Sequence, residues 1–185
     1  MAKNKPDVCP VEHAGSLDNR FRRLFQSPKK ILKPYINPGM TVMDMGCGPG
    51  YFTLDMAQLA GPEGLVIAAD LQQGMLDKVK AKIAGTDLEQ RIELKLCAQD
   101  SLAQPDSVDF VLAFYMVHEV PEVLPFFKEI AETLKPGGKL LIVEPPFHVS
   151  KKKYRENLNA ARNAGLVLLK EPRCWPDKAA LFQKA

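Results

Sequence analysis

The stretch 43-MDMGCGPGYF-52 places three glycines within five positions, directly after a short apolar run. Gly46, Gly48 and Gly50 can adopt the positive φ angles that other residues avoid, and they leave the backbone open to a ligand where a Cβ would block it. A helix that begins behind such a loop presents unpaired N–H groups to an anion. The stretch therefore predicts a strand, a ligand-binding turn and a helix, in that order.

The spacing of these glycines disfavours two common nucleotide loops. A dinucleotide fingerprint, G-x-G-x-x-G, needs its third glycine at position 51, which is Tyr51 here. The Gly-Lys-Ser/Thr ending of a phosphate-binding P-loop is also missing from this stretch. The pattern that remains is D-x-G-x-G-x-G, beginning at Asp44, and it fits a ligand with one carboxylate better than a pyrophosphate.

Strands and helices alternate along the rest of the chain. The strand-like runs are nearly continuous in Val, Ile and Leu, which is typical of strands buried on both faces. The alternation predicts an α/β fold in which a mostly parallel sheet carries helices on both faces and binds its ligand beyond the carboxyl ends of the strands. The predicted strands are 41–45, 65–71, 91–97, 107–117 with its exit loop, 139–146, 166–172 and 179–185, and the predicted helices are 27–36, 51–60, 72–84, 122–134 and 151–165.

Composition indicates one globular domain. The chain has 185 residues, of which 46% are apolar and 25% charged, and its net charge of +3 is too small to indicate nucleic-acid binding. Residues 1–36 carry eight basic and three acidic side chains, and we expect them to form an N-terminal lid over a domain of residues 37–185. No apolar run is long enough to span a membrane and no signal-peptide pattern is present, so a cytoplasmic location is expected.

Aspartates follow the second and third predicted strands. Asp70 ends "IAADL" and can accept two hydrogen bonds from the vicinal hydroxyls of a ribose, although capping of the next helix is an alternative role. Asp100, in "CAQDSL", can accept a hydrogen bond from an adenine amino group. Either residue alone is weak evidence. In order behind the glycine loop, they indicate a nucleoside-binding site.

The segments "VMDMGCGPG", "IAADL", "AQDSL", "SVDFVLAF" and "LKPGGKLLIVEP" together resemble the motif series of class I S-adenosylmethionine-dependent methyltransferases. The resemblance covers about residues 28–185, and it is greatest to small relatives of the ubiquinone/menaquinone-biosynthesis C-methyltransferases. It implies a Rossmann-like sheet of seven strands in the order 3-2-1-4-5-7-6 with the seventh antiparallel. The cofactor that it implies is S-adenosylmethionine, with S-adenosylhomocysteine as the product.

The resemblance also implies which residues contact the cofactor. The glycine loop would hold the methionine part, Asp70 the ribose, and the loop around Asp100 the adenine. Asp44 would orient the glycine loop or reach the cofactor's amino group through water. The full predicted set is Asp44, Gly46, Cys47, Gly48, Gly50, Asp70, Leu71, Gln99, Asp100, Ser101 and Tyr115.

The methyl acceptor should lie beyond the fourth and fifth strands. The polar side chains predicted to act in catalysis there are Tyr115, His118, Glu119 and His148. His118, beside Glu119 or Glu144, can act as a general base, while helix capping or packing against the cofactor is the alternative. Because no short ligand spacing links these side chains, we predict no metal site.

We predict a methyltransferase that acts on a small molecule. RNA or protein methylation is an alternative that requires a contiguous basic surface, and a non-catalytic S-adenosylmethionine-binding protein is another. A thiophilic acceptor such as arsenite would need converging thiolates. The chain has four cysteines without a CxxC pair, and buried cysteine is also an ordinary small core residue.

Overall fold

The computed structural model describes residues 26–98, 107–174 and 176–185, and it forms one sheet of seven strands in the order β3-β2-β1-β4-β5-β7-β6. Neighbouring strands are parallel except around β7, which runs antiparallel to both β5 and β6. The predicted fold class and strand order are confirmed. The strands are β1 Thr41–Met45, β2 Leu65–Asp70, β3 Ile92–Leu96, β4 Val108–Phe114, β5 Leu134–Glu144, β6 Leu166–Lys170 and β7 Lys178–Lys184.

Helices cover both faces of the sheet, because successive side chains of each buried strand point to opposite sides. Val42 and Leu112 pack among the helices of one face, whereas Met43 and Val111 pack among those of the other. The helices on the first face are α1 Pro28–Leu32, α2 Thr53–Ala60 and α3 Gln73–Ile83, and those on the second are α4 Val123–Thr133 and α5 Lys151–Asn163. A short 3₁₀ turn, Val117–Glu119, follows β4.

The fifth strand starts earlier than the sequence predicts. Residues 135–138, the "KPGG" turn, lie inside β5 rather than before it. The chain pairs with β4 on both sides of the turn: Leu134 pairs with Val108, and Lys139 pairs with Phe110. The turn is therefore a bulge that interrupts one continuous strand, and Gly137 accommodates it with a φ of 76°.

The described part of the predicted lid segment begins at residue 26. Within it, α1 starts with Pro28 after Ser27, which is extended at the N-cap position but makes no side-chain capping bond. Leu32 and Ile36 are buried in the core of the first face. The segment from α1 to β1 is thus anchored on the body of the domain, and the prediction for residues 1–25 lies outside the described residues.

The five strands β1 to β5 end at one side of the sheet, which we call the carboxyl edge. The glycine loop follows β1 there, Asp70 ends β2, and Glu144 ends β5. His118 follows β4 in the 3₁₀ turn. Candidate residues from distant parts of the sequence therefore meet at this edge. Among the described helices, none has the length and hydropathy that crossing a bilayer requires.

Candidate active site

The glycine loop adopts a backbone that requires glycine at three positions. Gly46, Gly48 and Gly50 have φ angles of 69°, 52° and 86°. The backbone N–H groups of Gly46 and Cys47 both donate to the carbonyl oxygen of Ala69, at 2.9 and 3.0 Å, so the loop is held against the end of β2.

The three glycines have different surroundings. A Cβ at Gly46 would lie 3.0 Å from the Cβ of Met116, and one at Gly50 would lie 3.1 Å from a methyl group of Val79. A Cβ at Gly48 would meet nothing within 4 Å. Gly46 and Gly50 are therefore required by packing, whereas Gly48 borders open space. A ligand can approach the backbone there, so the loop fits the cofactor that the motif series implies.

Asp44 joins the two sides of the glycine loop. It lies in β1 with a relative exposure of 2%, and its carboxylate accepts a hydrogen bond of 2.6 Å from the hydroxyl of Thr53, the first residue of α2. Burial raises the pKa of Asp44 to about 7; the Thr53 hydrogen bond opposes the shift and the charge of Asp70 adds to it. Burial therefore favours the neutral carboxylic acid over the carboxylate at this position.

Asp70 binds the backbone on both sides of the predicted nucleoside site. Its Oδ2 accepts from the N–H of Gly48 and its Oδ1 from the N–H of Gln72, each at 2.9 Å. Burial raises its pKa, and the backbone hydrogen bonds oppose that shift. Asp70 thus links the glycine loop to the start of α3, and its contact with a ribose stays a prediction. Leu71 is exposed beside it.

The adenine end of the predicted site cannot be placed in the same way. Gln99, Asp100 and Ser101 lie outside the described residues. Their predicted contacts with the cofactor stay predictions.

His118 is paired with Glu144 rather than with its sequence neighbour Glu119. Its Nδ1 lies 2.7 Å from Oε2 of Glu144, which is fully buried, while one quarter of the His118 side chain is exposed. The hydrogen bond to Glu144 raises the pKa of His118, burial opposes this, and the charges of Glu144 and Glu119 add to it. The pair has the geometry of a base held in orientation by a buried carboxylate.

Glu144 has hydrogen-bonding capacity left over. Within the described part of the chain, its Oε1 is buried and makes no hydrogen bond, and the hydroxyl of Tyr154 on α5 is also buried, with Glu171 interacting with it. Both atoms lie on the α4–α5 side of the sheet, where Tyr154 packs in the core. Glu144 also raises the pKa of Tyr154, although burial is the larger cause. Oε1 of Glu144 is therefore a buried acceptor that the described residues leave without a hydrogen bond.

Tyr115 belongs to a hydrogen-bonded cluster that the sequence does not reveal. The cluster, which we call the Tyr115 latch, consists of Gln26, Tyr51, Tyr115 and Asp177. The Tyr115 hydroxyl donates to Asp177, and the Gln26 amide donates to both, at 2.6 Å each. Tyr51 donates to the backbone oxygen of Gln26 at 2.7 Å. Tyr115 has a φ of 58°, a strained value for a residue other than glycine. The latch thus fixes the chain before α1 to the end of the glycine loop, to the exit of β4 and to the start of β7.

The remaining candidates are more dispersed. Glu119 is half-buried in the 3₁₀ turn beside His118, and His148 is exposed on the loop after β5, outside the His118–Glu144 pair. Burial raises the thiol pKa of Cys47 and Cys174, and raises that of Cys97 to about 11. The described residues contain no group of three or more His, Cys, Asp or Glu side chains placed to hold a metal. Cys9 lies outside the described residues, so the thiophilic acceptor stays an untested alternative.

Comparison with known proteins agrees with this geometry. Residues 42–138 match the family described as "Methyltransferase domain". The chain is 37% identical over 118 residues to a demethylmenaquinone methyltransferase of Lactobacillus johnsonii. The aligned region covers 63% of this chain and 48% of that protein. It is 33% identical over 146 residues to a protein of the same name from Symbiobacterium thermophilum, which covers 78% of this chain and 55% of the relative. The chain thus spans about half the length of these curated relatives.

Solved structures show the same fold. A SAM-dependent methyltransferase from Aquifex aeolicus superimposes with a TM-score of 0.86 at 24% identity, over 96% of this chain and all of that one. A putative S-adenosylmethionine-dependent methyltransferase from Methanococcus maripaludis superimposes with a TM-score of 0.79 at 19% identity, over 100% of this chain and 97% of that one. The family match shows that the chain belongs to the methyltransferase domain family, and its strand order gives it the fold of the class I S-adenosylmethionine-dependent methyltransferases.

Proposed function

We propose that the chain methylates a small-molecule acceptor at an atom that loses a proton, with His118 as the general base. The observation that carries the proposal is the 2.7 Å contact between His118 and the buried Glu144. The two residues follow the carboxyl ends of β4 and β5, where parallel α/β sheets bind their ligands. A base in this position adds about 10²–10⁴-fold to a rate.

S-adenosylmethionine supplies an activated methyl group. In this proposal the glycine loop holds its methionine part, Asp70 its ribose, and the loop of Gln99, Asp100 and Ser101 its adenine. The open space beside Gly48 and the Asp70 carboxylate at the end of β2 support the assignment. The protein's main contribution is to align the reactants, which is worth about 7–11 kcal/mol in favourable cases.

The His118–Glu144 pair determines which nitrogen takes the proton. Because Nδ1 faces Glu144, Nε2 is the nitrogen that can turn to an acceptor. The Glu144 carboxylate stabilises the imidazolium that forms when Nε2 is protonated, in the same way that it raises the pKa of His118. Glu144 therefore orients the ring and makes it a stronger base.

The acceptor class that we propose is a reduced quinone or a similar ring that bears an ionisable hydroxyl. Two relatives at 33% and 37% identity carry the name demethylmenaquinone methyltransferase, which supports this class. RNA, protein and a purely binding role are the alternatives that the same assay distinguishes.

The test is methyl transfer from labelled cofactor to a reduced, demethylated naphthoquinone. We expect His118→Gln to bind S-adenosylhomocysteine within about two-fold of the wild type by calorimetry, and to lose about 10²–10⁴-fold in turnover. The wild-type rate should fall as the pH drops through the pKa of His118, which lies above its ordinary 6.5, because the protonated ring cannot accept a proton.

Glu144→Gln provides the second readout. Since the Glu144 hydrogen bond is the largest cause of the raised pKa, we expect this variant to move the acidic limb of the rate profile to lower pH. Glu122→Gln, an exposed acid at the same edge, is the matched control and should leave the limb in place. Full turnover in folded His118→Gln contradicts the proposed base. Methyl transfer to RNA or protein, but not to the quinol, would show that the proposed acceptor class is wrong. Cofactor binding without methyl transfer to any of these acceptors would favour a non-catalytic binding protein.

A further inference from the structure

The loop after β5 presents an aromatic side chain to solvent at the carboxyl edge. Phe147 has a relative exposure of 92%, whereas the other exposed large hydrophobic side chains in the described residues lie between 36% and 52%. It comes three residues after Glu144, whose partner His118 lies in the proposed acceptor site. An aromatic ring so fully in water contributes little packing against the described residues.

The position of Phe147 is fixed by the residues around it. The Lys178 ammonium group donates to the backbone oxygens of Pro146, at 3.1 Å, and of Val149, at 2.6 Å. The Val149 side chain is buried in the core of the α4–α5 face. The loop is therefore held on both sides of Phe147, and the outward position of the ring is a built feature of the fold.

Basic residues follow on the first turns of α5. Lys151, Lys152 and Arg155 are exposed and Lys153 is half-buried, while the first turn contains no acidic residue. The amino end of a helix carries positive partial charge, so cations there destabilise the helix. These lysines are placed against the local electrostatics of α5, so binding to an anionic group would relieve an unfavourable interaction.

The apolar and basic side chains lie at the same edge of the sheet, because helices α4 and α5 both begin there and Phe147 follows β5 there. Helices α4 and α5 pack against each other, and the exposed Leu124 lies at the start of α4. A surface that offers anionic groups to lysines and an apolar layer beneath them satisfies both kinds of side chain at once. A phospholipid bilayer has this composition: basic residues bind its anionic head groups, and aromatic residues enter the boundary with the acyl chains.

We propose that Phe147 and the basic residues 151–155 form a docking patch for an anionic lipid bilayer. The patch lies at the edge that holds the His118–Glu144 pair, so docking brings that edge to the membrane surface. The inference goes beyond the proposed function and does not depend on it, because its test measures binding and not turnover.

The test is co-sedimentation of the whole chain with vesicles of phosphatidylcholine, with and without an equal share of phosphatidylglycerol. We expect binding to the anionic vesicles that weakens as salt is raised from 50 to 300 mM. Each lysine near the surface contributes about five-fold to the affinity, so Lys151→Gln combined with Lys152→Gln should weaken binding about 25-fold. Phe147→Ser should weaken it about ten-fold, since the ring then no longer enters the apolar boundary.

The matched control is Lys78→Gln combined with Lys80→Gln, which removes the same charge from exposed positions on α3, on the other face of the sheet. It should bind vesicles within about two-fold of the wild type. Thermal unfolding should be unchanged in Phe147→Ser, because the side chain is already in water. Absence of wild-type binding to anionic vesicles overturns the proposal, and so does an equal loss in the control. If the same patch variants lose binding to RNA while vesicles are not bound, the surface belongs to nucleic acid instead.

Discussion

Asp44 shows how a buried carboxyl group can couple this protein to pH. Its carboxylate accepts a hydrogen bond from Thr53, and burial raises its pKa from 3.8 to about 7. Both folded and unfolded chains are protonated at this site below about pH 4. Between that pH and 7, the folded chain retains a proton that the unfolded chain releases. Stability from this group is therefore present at low pH and is lost as the pH rises through about 7.

We predict that Asp44→Asn removes this loss. From pH 4.5 to 8 the free energy of unfolding of the wild type should fall relative to that of the variant by roughly 3 kcal/mol, because a pKa difference of about three units corresponds to about 4 kcal/mol and part of it is already lost below pH 4.5. Urea unfolding at several pH values measures it. Asp77→Asn, an exposed residue on α3, controls for the loss of a carboxylate as such. Parallel pH profiles for the wild type and Asp44→Asn would contradict the prediction.

The glycine loop is an element in which packing and ligand binding can be separated. Gly46→Ala brings a methyl group to 3.0 Å from Met116 at a positive φ, so we expect it to destabilise the fold. Gly48→Ala meets open space and should cost only the backbone strain of about 1–2 kcal/mol. It should nevertheless weaken binding of S-adenosylhomocysteine at least ten-fold, because its methyl group occupies the space proposed for the cofactor. Urea unfolding and calorimetry measure the two effects, and unchanged affinity in Gly48→Ala would place the cofactor elsewhere.

The Tyr115 latch links separate elements, and a double-mutant cycle can measure its strength. Tyr115→Phe and Asp177→Ala each remove the hydrogen bond between the Tyr115 hydroxyl and the Asp177 carboxylate, so each should lower the free energy of unfolding by about 1.5–3 kcal/mol. Each variant also removes that residue's own bond to Gln26, so the double variant should lose less than the sum of the two single losses. Simple additivity of the two losses would show that the bond contributes nothing. Tyr35→Phe, whose ring stacks on Phe110, is a control outside the latch.

Regular elements were predictable from the sequence because buried parallel strands are continuous apolar runs, and most observed bounds lie within three residues of the predicted ones. The start of β5 could not be predicted from the sequence, because the pairing of Leu134 with Val108 depends on the partner strand and not on the local pattern. His118 was found by its position after β4. Its choice of Glu144 over the adjacent Glu119 is set by strand pairing. The latch escaped detection because Gln26 and Asp177 are 151 positions apart.

In the described residues, the charged side chains that are buried in the sheet lie near the carboxyl ends of its strands. The central strands are buried almost throughout, and charged side chains enter the core mainly where strands end, as at Asp70 and Glu144. Asp44, one residue from the end of β1, follows the same rule. Because both helical layers pack on the same sheet, the carboxyl edge is assembled only when the complete sheet forms. Ligand binding at this edge should therefore stabilise the entire domain.

Thermal unfolding tests this consequence together with the choice of cofactor. At one hundred times its dissociation constant, S-adenosylhomocysteine should stabilise the folded chain by about 2.7 kcal/mol, which raises Tm by roughly 5–10 °C for a chain of this size. NADH should give no shift, since Tyr51 stands where a dinucleotide loop needs glycine. Asp70→Ala should weaken cofactor binding by about 1.5–3 kcal/mol, because it removes a charged acceptor from the proposed ribose site, and should reduce the shift accordingly. The exposed Asp77→Ala should keep the full shift. Stabilisation by NADH instead would contradict the cofactor assignment, and a full shift in Asp70→Ala would remove that residue from the site.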